Sequence, residues 1–145
     1  MGMNRSMVRT IVVQCLYQIG LTGASASEAL QAIRDDAAGD NEVHIADKDV
    51  DALLGEATRW IEAYVPHHAQ LEQLLSTHLQ HWQIDRLSRI DRHVLLFALY
   101  EMLHTDVPDK VAMSEAVMIA QQFGTTQNGK FVNGVLGHIF DRLRS

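Results

Sequence analysis

The chain has 145 residues, 47% of them apolar, and a formal net charge of −6. That length admits one domain with a single buried core, and the acidity argues against bulk, sequence-blind binding to nucleic acid. Cys15 is the only cysteine, which excludes an intramolecular disulfide and a cysteine metal cluster.

The charge is unevenly spread. Residues 1–23 carry Arg5 and Arg9 and no acid, residues 24–62 carry ten acids against three bases, and residues 63–145 carry eight acids against seven bases. An acidic chain with a basic end can hold an anion there and offer its acidic face to a basic partner. Arg9 and Gln14 interrupt what would be the apolar region of a signal peptide, so a cytoplasmic protein is expected. No apolar run approaches the ~20 residues of a bilayer span, and no membrane association is expected.

Residues 4–21 read as the first helix. Val8, Ile11, Val12, Cys15, Leu16 and Ile19 form its stripe, widened by Val13 and Tyr17. Cys15, set among apolar neighbours, reads as a packing thiol. Arg5 and Arg9 are four apart and share a face near the helix start. Cations there oppose the helix dipole by a few tenths of a kcal/mol each. Two solvated arginines is the plain reading, and contact with a phosphate is the other. Gly20 and Gly23 are expected to end this helix.

Ser27 and Glu28 open a short helix over 26–37, with Ala29, Leu30 and Ile33 apolar. Residues 38–46, containing Gly39, Asp40 and Asn41, read as an exposed loop. Asp47 is the expected N-cap of a helix running to about Val65, with Val50, Leu53, Leu54, Ala57, Ile61 and Tyr64 inward. Pro66 starts a new segment. Residues 67–82 form another helix with Leu71, Leu74, Leu75, Leu79 and Trp82 inward. His67, His68, His78 and His81 also lie on it. The spacing of His78 and His81 is compatible with metal ligation, but no cysteine or nearby carboxylate completes a site. Solvated histidines and no metal are the reading adopted.

Residues 86–103 organise the chain. Leu87, Ile90, Val94, Phe97 and Ala98 recur at helical spacing, with Arg86, Arg89 and Arg92 between them. From Val94 to Tyr100 every side chain is apolar or aromatic. A helix apolar all round is surrounded by other elements, so the remaining helices must cover this one. Pro108 marks the start of the next helix. Ala112, Ala116, Val117, Ile119, Ala120 and Phe123 form its stripe, and Gly124 closes it. Residues 125–129 read as a polar turn. Asn128 is the expected N-cap of a last helix from Lys130 to about Arg144. Gly134 and Gly137 inside that helix cost ~1 kcal/mol each relative to alanine, and Gly134 is expected where another backbone approaches.

The chain carries no glycine-rich phosphate loop, nucleophile elbow or HExxH. Asp91 is expected to pair with nearby arginines of its own helix. From the residues alone, this is an all-α domain and a binding module rather than an enzyme, with no cofactor.

Several motifs together then resemble the NusB family of bacterial transcription antitermination factors. They are Val13-Gln14-Cys15-Leu16-Tyr17, and Asp91-Arg92 followed by Ala98-Leu99-Tyr100-Glu101-Met102-Leu103. Asp106-Val107-Pro108 with Lys110-Val111-Ala112 and Ser114-Glu115-Ala116-Val117 makes a third. Lys130-Phe131-Val132-Asn133-Gly134-Val135-Leu136 makes a fourth. The order and length agree along the whole chain.

The resemblance implies one domain of two packed helical subdomains, about 1–65 and 66–145. It implies a protein that joins ribosomal protein NusE and binds boxA, a single-stranded RNA element of ribosomal RNA leaders. The complex lets RNA polymerase read through terminators. Carried over residue by residue, the RNA side is Arg5, Arg9, Gln127, Lys130 and Phe131, and the partner-protein side includes Tyr17 and Asp91. Single-stranded RNA is met by cations on phosphates and a stacking aromatic, and these residues are of those types. Phe131 also reads as a core residue.

The chain departs from the family pattern in three places. Arg5-Ser6-Met7-Val8-Arg9 replaces a run of arginines, Gln127 stands where some members have an acid, and Leu96 stands where a base is common. With about three phosphate contacts, the logarithmic salt slope is only about −2, so RNA binding is expected to be weak without NusE. The alternative is a protein-only interaction domain or homodimer of the same fold, which Met7, Val8 and Leu96 exposed together would favour. A ribosomal RNA methyltransferase is the enzyme alternative, and the 145 residues contain no cofactor-binding unit for it.

Overall fold

The computed structural model of the chain describes residues 4–22, 25–37, 47–79 and 87–144. Among these residues the structure is all-α, with seven α-helices and one 3-10 turn. The helices are α1 (Arg5–Thr22), α2 (Ala26–Ala37), α3 (Asp47–Tyr64), α4 (His68–His78), α5 (Arg89–His104), α6 (Asp109–Phe123) and α7 (Thr126–Leu143). The expectations for Gly23, the 38–46 loop, His81, Trp82 and Arg86 lie outside the described residues, and Asp47, expected as an N-cap, is the first residue of α3. No described helix is long and apolar enough to cross a membrane.

The chain divides into two compact units, Met1–Val65 and Pro66–Ser145. In the first, α1 packs on α2 and α3, and α2 on α3. Val8, Ile11, Val12, Cys15 and Leu16 are buried, as are Ala29, Leu30 and Ile33 of α2 and Val50, Leu53, Leu54, Ala57, Ile61 and Tyr64 of α3. Each large side chain so removed from water contributes about 1.5–3 kcal/mol. Burial pushes the Cys15 thiol up to about 12, so it is inert packing. Two helix ends differ from expectation. α1 runs through Gly20 to Thr22, and α2 is capped by Ser25 rather than Ser27. The Ser25 hydroxyl accepts from the Glu28 amide at 3.1 Å, capping the helix, and donates to the Glu28 carboxylate at 3.2 Å.

α3 stops at Tyr64 because Pro66 disfavours helical backbone at Val65. The chain passes through a 3-10 turn, Val65–His67, into α4. In the second unit α5 is packed by α4, α6 and α7. Every residue from Val94 to Met102 is buried, as an all-round apolar helix requires. Ser88 caps α5, its hydroxyl accepting from the Asp91 amide at 3.2 Å. The histidines of α4 are half-buried rather than solvated. The His67 ring stacks on His104 with centroids 3.9 Å apart, and His78 meets His138 edge-on at 5.9 Å. No group of three or more metal-ligand side chains exists among the described residues.

The start of α7 is the largest departure from the sequence reading. The helix begins at Thr126, not Lys130, and its N-cap is Thr125, not Asn128. The supposed polar turn is the first helical turn. Thr125 and Asn128 close a capping box over it, which offsets the helix-breaking tendency of Gly129. Gly129 is buried, and a Cβ there would stand 2.6 Å from Gln121 Cγ on α6. The glycine thus leaves room for the Gln121 side chain of α6.

Candidate nucleic-acid interface

Seven residues were expected to carry binding, and they fall in both units. Three lie on α1. Asn4 accepts from the Met7 amide at 3.0 Å and so starts the helix. Arg5 follows it and is exposed. Arg9, one turn on, is 4% exposed, with its guanidinium 5.6 Å from the centre of the Trp60 ring on α3. Arg9 is therefore not an open phosphate contact. A guanidinium is weakly hydrated and planar, so it leaves water for an aromatic face at small cost. Tyr17 is half-buried two turns further along.

Around Trp60 the charges are linked. Its indole N–H donates to Glu56 at 2.9 Å, and Arg59 pairs with the same carboxylate. The Arg59 and Trp60 hydrogen bonds, with Arg59 and Arg5 as nearby positive charges, hold the Glu56 carboxyl below its usual range. Glu56 is thus an anion within the field of Arg5.

The other four belong to the second unit. Gln127 and Lys130 are exposed and Phe131 is half-buried, all within the first two turns of α7. The turn is held by hydrogen bonds. The Thr125 hydroxyl accepts from the Gln127 amide at 3.2 Å. The Asn128 side-chain oxygen accepts from the Thr125 amide at 2.9 Å and from its hydroxyl at 3.1 Å. With no acid in its first turn, this helix end keeps its positive dipole. Lys130 can neutralise a phosphate, Gln127 can donate to and accept from a base, and Phe131 adds a part-exposed aromatic ring.

Asp91 differs most from its assignment. It was expected to pair with arginines or to face a partner protein, and it is 1% exposed. One oxygen, Oδ2, accepts from Asn128 Nδ2 at 2.8 Å, and the other, Oδ1, is buried with no hydrogen-bond partner. Burial pushes its carboxyl above the usual range, partly offset by Asn128 and Ser88. Arg92, the arginine beside it, pairs instead with Glu72 of α4 at 3.2 Å. From sequence Asn128 reads only as an N-cap, and Trp60 carries no signal. Thr125-x-x-Asn128 carries a faint capping signal, with Asn in place of the usual Glu or Gln. Nothing local announces Trp60 as the partner of Arg9.

The apolar patch that would favour a protein-only domain is not formed. Val8 and Leu96 are both fully buried, so neither contributes to an exposed surface.

Comparison with known proteins agrees with this architecture. Residues 6–141 match the NusB family. The chain is 32% identical to the transcription antitermination protein NusB of Halalkalibacterium halodurans, across 98% of this chain and 97% of that one. Against the same-named protein of Staphylococcus epidermidis it is 37% identical, across 96% and 100%. In fold it is similar to a chain of the crystal structure of antitermination factors NusB and NusE in complex with dsRNA, with TM-score 0.73 and 22% identity over 95% and 96%. A match of this extent, with the helix order and motifs that go with it, makes the chain a member of the NusB family.

Proposed function

We propose that the chain is a transcription antitermination factor, not an enzyme. In this reading it pairs with ribosomal protein NusE and binds the single-stranded boxA RNA of ribosomal RNA leaders, within the antitermination complex of RNA polymerase. A cytoplasmic location follows. The observation that carries the reading is the family match along nearly the whole chain. The exposed Arg5 and the α7 turn bearing Gln127, Lys130 and Phe131 support its RNA half. Arg5 and Lys130 are the phosphate contacts, Phe131 the stacking group and Gln127 the base contact. Arg9 holds α1 on α3 through Trp60. Tyr17 is the partner-protein contact on α1.

Charge reversal tests this. Arg5→Glu and Lys130→Glu each weaken boxA binding by about tenfold or more, as loss of a cation and gain of a repulsive charge require. NusE binding stays at the wild-type level in both. Unchanged RNA affinity in both variants contradicts the RNA half of the proposal.

A further inference from the structure

We propose that Asp91 is a positioning residue: through Asn128 it holds the first turn of α7, and so fixes the arrangement in which Gln127, Lys130 and Phe131 meet RNA. The inference rests on the RNA reading above and assigns the site an internal support.

Asn128 uses both ends of its amide. Its oxygen closes the turn on Thr125, and its nitrogen ties that turn to Asp91, 37 residues away in sequence and at the start of α5. A carboxylate at this position would close the box but have nothing to donate to Asp91. The space for this side chain is also built. A Cβ on Gly124 would stand 2.5 Å from Asn128 Cγ and Oδ1. Glycine at this C-cap position leaves the clearance that the Asn128 side chain fills.

A buried carboxylate is a costly way to steady a helix end, since it gives up hydration. Thr125 alone would serve as a cap. What Asp91 adds is direction. A charged acceptor in a dry site makes a short, oriented hydrogen bond. It anchors an otherwise exposed turn to a helix surrounded on three sides. A contact surface ordered before binding does not lose that freedom on binding.

The test uses the full chain with D91A, N128A and the exchanged pair D91N/N128D. In the exchanged pair an amide on α5 donates to a carboxylate on α7, which still accepts from Thr125. Three quantities are measured: affinity for boxA RNA, affinity for NusE, and amide hydrogen exchange. Gly129, whose amide donates to the Thr125 carbonyl at 3.3 Å, and Lys130 report on the turn, and Leu99 reports on the core. Each single variant is expected to weaken RNA binding about tenfold, the worth of one charge-assisted hydrogen bond. Exchange at Gly129 and Lys130 speeds by a similar factor while Leu99 stays protected. The exchanged pair returns both readouts to within about twofold of wild type.

Unchanged exchange in both single variants overturns the proposal, as does an exchanged pair no better than the singles. Loss of NusE binding in D91A, with exchange and RNA binding intact, makes Asp91 a partner contact and also overturns it. If the wild-type chain binds no boxA RNA, the functional reading fails, and the exchange arm still decides whether Asp91 holds the turn.

Discussion

Arg5 and Arg9 stand four residues apart on one helix and do different work. Arg5 is in water, whereas Arg9 lies against Trp60. Arg9→Ala is therefore expected to cost about 1–2 kcal/mol of stability by urea denaturation. Arg5→Ala leaves stability unchanged and lowers the salt slope of RNA binding by about 0.7. Equal stability for the two variants would contradict this assignment. His93 on α5 gives a separate prediction. Burial, then the charges of His68 and Arg92, lower its pKa from 6.5 to about 4, against a smaller opposing effect of Glu72. The folded chain favours the neutral ring, so this stability is present above pH 6.5 and is lost as pH falls toward 4. The ring is part-exposed, which reduces the effect to roughly 2 kcal/mol. His93→Gln should flatten the urea midpoint between pH 6.5 and 4. Asp91 contributes with the opposite sign, because its raised carboxyl favours the protonated folded state.

At the scale of elements, α5 and the start of α7 explain most of the unit they share. Leu96 is fully buried on a helix packed by three others. Leu96→Lys, which supplies the base expected at this position from the family resemblance, should cost several kcal/mol and abolish cooperative unfolding. Thr125→Ala should cost ~1 kcal/mol through loss of its cap, measurable by urea denaturation. The stripes of α3 and α5 were legible because burial of one face repeats every three or four residues. The burial of Cys15 and of Val94 to Tyr100 was legible for the same reason. The start of α7 was not, because Thr125, Asn128 and Gly129 each favour a turn when read locally. Their helical turn is closed by the Thr125–Asn128 capping box, and Asn128 also reaches Asp91 on another helix. The surroundings of Arg9 were hidden likewise, since Trp60 lies on α3 and no periodic pattern links the two. The residue types proposed to meet RNA were thus legible, while the burial of Arg9 and Asp91 needed the packing.

For the whole molecule, the distribution of charge matters more than its sum. Ten of the acids lie within residues 24–62, and the exposed cations assigned to RNA lie outside that segment. An acidic segment can steer a basic ribosomal protein toward the chain, and few cations remain to hold RNA unaided. The direct measurement is a titration of labelled boxA RNA, with and without NusE, at two salt concentrations, with scrambled RNA as control. The account predicts weak binding by the chain alone, with a salt slope of about −1.4 for the two phosphate contacts of Arg5 and Lys130, tightened by NusE and absent with the scrambled RNA. NusE binding without any boxA binding, or equal affinity for boxA and scrambled RNA, would contradict it.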